Sequence, residues 1–143
     1  MKRSDCVPAI DSCEPQVMRA FQKAGWGLLY KPYIVRAGTE RGIYIDLCLR
    51  HQVNNSLLLM VEVKCFPASR SVLDEFYHAM GQYLFYRNVL KLNNIEIPIY
   101  LTIPDFVFER LSSQAAFQMT LQESGVKWVI VNLETEEIEK WVH

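Results

Sequence analysis

The stretch Leu57-Leu58-Leu59-Met60-Val61-Glu62-Val63-Lys64-Cys65-Phe66 decides how the chain is read. It is an apolar run broken only by Glu62 and Lys64. A continuous apolar run of strand length predicts a central strand covered by other layers. Unpaired charges there cost several kcal/mol, by order of magnitude. Strand side chains alternate with period two, so Glu62 and Lys64 project from one face. Opposite charges on one buried face call for a third party. Asp46 is the acidic residue inside the preceding predicted strand, Ile43–Leu49. If 43–49 and 57–66 pair through the turn at 50–56, Asp46 comes near Glu62.

Working outward, Val53-Asn54-Asn55-Ser56 forms the turn before this strand, and Leu28–Val35 reads as another strand. Arg36–Gly42 (RAGTERG) is a polar, glycine-bounded hairpin loop joining it to 43–49. Upstream, Asp11 or Ser12 caps a helix with Pro15 in its first turn and Gly25 at its end. Its stripe is Val17, Met18, Phe21 and Ala24. Downstream, Ser71 and Asp74 resemble a capping box that opens a long helix to about Leu90. Leu73, Phe76, Tyr77, Met80, Leu84 and Leu90 form its apolar stripe. Then come a strand at Ile97–Ile103, a short helix from Pro104 or Asp105 through Leu111, and a further helix over Ala115–Gln122. Strands at Lys127–Leu133 and Ile138–Val142 close the chain. The order predicts an α/β fold in one domain, 1–143, with a mixed sheet flanked by helices and the fourth strand parallel to the third.

The chain has 143 residues, half of them hydrophobic and 22% charged, which excludes a disordered tail or low-complexity linker. Fifteen Lys and Arg against sixteen Asp and Glu give a formal charge of −1, so no global positive field attracts nucleic acid. The cations Lys31, Arg36, Arg41, Arg50, Lys64, Arg70 and Arg87 are dispersed. His78 and Arg87 would extend a modest patch near Lys64; ordinary solubilising charge explains the same residues. Glu134, Glu136, Glu137 and Glu139 would repel DNA and face solvent or a basic partner.

The cysteines at 6, 13, 48 and 65 have no C-x-x-C spacing, and few histidines could join them in a zinc site. Cys48 and Cys65 sit in apolar runs and read as buried, reduced thiols; Cys6 and Cys13 are close enough in sequence to bridge. No apolar core of a signal peptide and no run long enough to span a membrane appears, which predicts a cytoplasmic protein without membrane contact.

Two carboxylates held together are reconciled by a proton or a divalent cation. Magnesium and manganese take hard oxygen ligands, commonly one or two carboxylates with water and phosphate. Asp46 and Glu62, with the carbonyl of Val63, are the candidate metal ligands, and Lys64 would hold a water or steady charge on phosphate. This is a coherent set for metal-assisted phosphodiester hydrolysis. A structural ion pair at a strand end, with Asp46 a surface group near a turn, accounts for the same residues. Gln82 and Tyr86 lie four apart on one helix face, polar where a sheet-covering helix would favour leucine. Gly81 before them permits close approach. There is no Gly-rich phosphate loop, G-x-S-x-G elbow or Cys–His arrangement to suggest a small-molecule enzyme.

Asp46, Glu62-Val63-Lys64 and Gln82-x-x-x-Tyr86 together resemble the D…E-x-K core of restriction-endonuclease-like nucleases, the PD-(D/E)XK group. The Gln-x-x-x-Tyr element is similar to the extra motif of the RecB-type branch. Over nearly the full length, AGWGLLYKPY, GIYIDL, VEVKCF, HAMGQYLFYR, YLTIPDFVFE and EIEKWV resemble the cyanobacterial XisH family of fdxN element excision controlling factors. The resemblance implies a nuclease-like α/β fold, a role in site-specific excision of a DNA element, and a companion protein, XisI. It implies catalytic roles for Asp46, Glu62 and Lys64, with Gln82 and Tyr86 lining the site and Mg²⁺ or Mn²⁺ as cofactor. Many nucleases of the wider group add an acidic residue on the first helix. Glu14 would fill that place, although the helix dipole explains it equally. DNA, held weakly by the chain alone, and an XisI-like protein are the expected partners, with self-association left open. The alternative role is regulatory, through protein contacts without cleavage.

Overall fold

The two charged residues of the central apolar run sit where both faces of a sheet are covered. The computed structural model of the chain describes residues 13–37 and 40–143. Helix α1 (Glu14–Lys23) is followed by β1 (Trp26–Tyr30), β2 (Tyr33–Ala37), β3 (Glu40–Ile45), β4 (Leu47–His51) and β5 (Leu58–Val63). Then come α2 (Val72–Leu92), β6 (Ile99–Pro104), α3 (Asp105–Ser112), α4 (Ala115–Ser124), β7 (Trp128–Asn132) and β8 (Glu137–Val142).

Six strands form a mixed sheet in the order β1-β4-β5-β6-β7-β8, while β2 and β3 pair as a separate antiparallel ribbon. β5, β6 and β7 run parallel, as the crossover through α2 demands, and β1, β4 and β8 are antiparallel to their neighbours. Alternation along β5 sends Met60 into one apolar layer, with Cys48, Leu101, Ile103 and the α2 residues Phe76, Ala79 and Tyr83. It sends Leu59, Val61 and Val63 into the other, with Val17, Ala20 and Phe21 of α1. With both faces covered, the strand can be apolar throughout.

Several expected boundaries shift. The expected strand 28–35 is two strands, β1 and β2, because the Lys31–Pro32 step turns the chain between them. The expected strand 43–49 is also two, with Asp46 in the bend where the backbone leaves the ribbon and joins the main sheet. A continuous apolar alternation hides such a change of sheet. The third strand ends at Val63, earlier than Phe66, whose φ of 54° is left-handed and redirects the chain.

The Ser71 cap of α2 forms as expected, its side chain accepting from the Asp74 N–H. The buried face of α2 differs from the expected stripe. Leu73 and Tyr77 are exposed, and Ala79, Tyr83 and Val89 are buried instead. The Tyr83 hydroxyl finds partners inside, donating to the Ile99 carbonyl at 2.8 Å and accepting from the Lys127 N–H at 3.3 Å. Polar satisfaction therefore lets a tyrosine replace an aliphatic residue in the core. Pro15 stands in the first turn of α1 and Gly25, at φ 96°, ends it. The proposed caps Asp11 and Ser12, like Cys6, lie outside the described residues. No helix among the described residues is long and apolar enough to cross a membrane.

Candidate functional site

The pairing of β4 with β5 fixes the site. Leu47 faces Val61 in the antiparallel register, so the next step sets Asp46 opposite Glu62. The contacts are reciprocal: the Val63 N–H donates to Asp46 Oδ2 at 2.8 Å, and the Asp46 N–H donates to Glu62 Oε1 at 3.2 Å. Each carboxylate thus accepts from the backbone of the other strand, in bonds stronger than neutral ones. Lys64 completes the group with its Nζ 4.0 Å from Glu62 Oε2, on the same side of the sheet. Glu62 is 3% exposed and Lys64 8%, so this pair is not a solvated surface salt bridge. The Lys64 N–H bonds the Thr102 carbonyl at 3.0 Å, continuing the parallel ladder to β6 past the end of β5.

Helix α2 brings Gln82 and Tyr86 to the same place. Gln82 Nε2 donates to the Tyr86 hydroxyl at 2.9 Å. The Tyr86 phenol is pushed above its ordinary pKa, first by burial and then by the negative charge of Glu62. The Gln82 hydrogen bond opposes that rise, and Asp46 adds to it. The charges of both carboxylates thus act on the Tyr86 phenol. Gln82 Oε1 is buried with no hydrogen-bond partner among the described residues. A buried amide oxygen without a donor costs on the order of 1–3 kcal/mol. All five residues singled out in the sequence therefore converge.

Other expected features fall elsewhere. Arg87 does not extend a basic patch toward Lys64. Its guanidinium donates to the Ser124 carbonyl at 2.9 Å and lies over the Tyr83 ring, serving the C-terminal end of α4. Glu14 is buried and paired with Lys31 at 2.9 Å, so the ion pair, more than a helix dipole, accounts for it. Arg70 pairs with Glu75 at 3.1 Å. In the acidic closing segment, Glu136 is held by a two-pronged contact from Arg19 at 2.7 and 2.8 Å, which lowers its pKa.

Two cysteines depart from the expected arrangement. Cys65 is not a reduced thiol and Cys13 does not pair with Cys6: Cys13 and Cys65 form a disulfide that ties the N-cap of α1 to the residue after Lys64. Nothing in a separation of 52 residues signals this; it arises because the α1 N-terminus packs over the end of β5. Among the described residues Cys48 is the buried free thiol, as expected.

No group of three or more His, Cys, Asp and Glu side chains able to hold a metal occurs among the described residues. Asp46 and Glu62 supply two carboxylates, with the Val63 carbonyl beside them in sequence. That donor set suits magnesium or manganese, which complete their shells with water and substrate oxygens. It does not suit zinc, which favours a closed set of nitrogen and sulfur ligands.

Fold and site together define a mixed α/β protein with a buried carboxylate–lysine group at the end of its central strand. Residues 7–139 match the family model for the XisH protein, and the chain belongs to the XisH family. An fdxN element excision controlling factor from Anabaena variabilis has a similar solved structure, with a TM-score of 0.84 and 25% identity, covering 93% of this chain and 99% of that one. An XisH family protein from Nostoc punctiforme is as similar, with a TM-score of 0.84 and 26% identity over 93% of this chain and 100% of that one. No match is found among the curated proteins.

Proposed function

We propose that the chain acts in excision of a DNA element, as the designation of the Anabaena relative suggests, and that it does so as a divalent-metal endonuclease of the restriction-endonuclease-like kind. The observation that carries this reading is the cross-bonding of Asp46 and Glu62 beside buried Lys64. Asp46 and Glu62 would hold Mg²⁺ or Mn²⁺ with the Val63 carbonyl. The metal, when bound, lowers the pKa of a water and neutralises charge on phosphate. Lys64 orients the attacking water and offsets charge developing on the phosphoryl oxygens. Gln82 and Tyr86 position the scissile strand or the lysine ammonium. Low polarity around the group strengthens each of these interactions.

The test is nicking of plasmid and branched DNA with Mn²⁺, comparing wild type with Lys64→Met and Asp46→Asn. Loss of about 10²–10³-fold in rate is expected in Lys64→Met, the range for removing one charge-stabilising group, and loss of Mn²⁺-dependent cutting in Asp46→Asn. Equal cutting by wild type and Lys64→Met would remove the lysine from the mechanism.

A second reading makes the chain a regulatory member of a complex with an XisI-like protein. It is favoured by the net charge of −1 and by cations already spent on neighbours: Lys31 on Glu14, Arg70 on Glu75 and Arg87 on carbonyls. Co-purification with such a partner, and cutting only by the complex, would join the two readings.

A further inference from the structure

We propose that the outward face of α2 is a self-association surface, on which a second copy of the chain lays its own α2 antiparallel, the two helices crossing at Gly81. The surface uses none of the residues of the carboxylate–lysine site, so it stands or falls apart from the hydrolytic reading.

One side of α2 is buried in the main apolar layer through Phe76, Ala79, Tyr83 and Leu90. A helix covered on one side ordinarily turns polar residues outward. Instead α2 exposes Leu73 by 40%, Tyr77 by 61%, Phe85 by 57% and Leu92 by 83%. Positions 73, 77, 81 and 85 step by four and form one ridge along the helix. Gly81, at the middle of that ridge, is exposed as well. Glycine weakens a helix interior, and nothing among the described residues requires it here, because an added Cβ would meet no atom within 4 Å. A helix laid across this point from outside does require a small residue, since the side chain at the crossing sets how closely the axes approach, about 8–10 Å.

Symmetry and charge select another copy as the occupant. In an antiparallel pair with its two-fold axis at Gly81, a residue before 81 on one helix meets the residue equally far after 81 on the other. Tyr77 then meets Phe85, an aromatic pair, and Asp74 meets Asn88, an acceptor beside an amide donor. The exposed charges of this face sit at opposite ends, Asp74 in the first turn and Lys91 in the last. The same rotation therefore turns each acid toward its partner's lysine end, where a parallel pair would set like charges together; the helix dipoles oppose as well. Area agrees. With 150–250 Å² for a whole aromatic side chain, the four apolar residues leave on the order of 400 Å² per chain uncovered. Two copies hide roughly twice that, and with Asp74, Asn88 and Lys91 the pair reaches the ~1,000 Å² of a small specific interface.

The test is sedimentation velocity of the full chain from about 5 to about 500 μM, the range for a small interface. Wild type should pass from monomer to dimer and no further, because a two-fold contact is closed. Phe85→Lys should weaken dimerisation at least about thirtyfold, the loss for a central aromatic anchor, with a melting point close to wild type because the ring is exposed in the single chain. Gly81→Leu should block the dimer while raising the melting point measured at low concentration, a combination that a misfolded variant does not show. Asp74→Lys and Lys91→Glu should each weaken association about two- to thirtyfold, as two exposed ion pairs per dimer would, and combining them should restore it. A chain that stays monomeric throughout would overturn the proposal, as would a dimer indifferent to Phe85→Lys and Gly81→Leu, or a charge swap that fails to restore association. So would a monomer that needs Phe85 to bind a different protein or an oligonucleotide, since the face would then have another occupant.

Discussion

Removing the Lys64 ammonium while keeping its stem, Lys64→Met, strands the Glu62 carboxylate inside the fold. At the observed 4.0 Å, two unit charges in a medium of effective dielectric about 20 attract by about 4 kcal/mol. Loss of one partner of a buried pair costs a similar 3–5 kcal/mol. In a protein of this size each kcal/mol moves the melting midpoint by roughly 2–4 °C, so Lys64→Met should melt some 6–20 °C lower. Glu62→Gln paired with Lys64→Met removes both charges and keeps an amide oxygen able to accept the Asp46 N–H that Glu62 now receives. The double variant should recover most of the loss, lying within about 1 kcal/mol of wild type, because a neutral buried pair carries no uncompensated charge. Urea denaturation followed by tryptophan fluorescence measures each corner of the cycle. Trp128 is a suitable reporter, being fully buried and stacked on Phe76 with ring centroids 6.2 Å apart. A Lys64→Met cost under about 1 kcal/mol, the range of surface pairs, would refute the reasoning. So would single losses that simply add in the double variant.

Three further outcomes follow from the same geometry. Cys13→Ser should lower stability by up to about 4 kcal/mol on the chain-entropy argument for a loop of this span, and dithiothreitol should lower the wild-type melting point but leave the variant unchanged. Tyr83→Phe removes the hydroxyl between Ile99 and Lys127; about 1–2 kcal/mol should be lost, and hydrogen exchange at the Lys127 amide should quicken. Burial pushes the Cys48 thiol up to about 11. Its neutral form is therefore held in the fold while the unfolded chain ionises. This contribution is complete below the ordinary thiol pKa and lost as pH rises toward 11, a decline that Cys48→Ala should flatten in denaturation curves.

The sequence made the site more legible than the path of the backbone. Glu62 and Lys64 stand out because charge in an apolar strand needs a reason, and period two places them on one face. Asp46 follows from hairpin pairing, and Gln82 with Tyr86 from helical spacing. These are short-range rules, and the structure keeps all of them. What escaped depends on contacts between distant segments. The alternation Ile43, Ile45, Leu47, Leu49 looks unbroken, yet the chain changes sheets at Asp46. Alternation records which side is buried and not which strand is the neighbour. Arg87 looks like a surface cation until α4 ends beside it. The Cys13–Cys65 link has no local signature, because only the packing of α1 over β5 brings the two residues together. Phe76, Met80 and Leu90 of the expected α2 stripe are buried, but Tyr83 joins them, acceptable inside only because two strand ends offer it partners.

The most direct measurement is a manganese soak of crystals of this chain, read by anomalous scattering. The account predicts a peak bridging Asp46 and Glu62 at metal–oxygen distances of about 2.0–2.6 Å, and its disappearance in Asp46→Asn. Full manganese loading with ions only at other carboxylates, or a peak that survives Asp46→Asn unchanged, would contradict it.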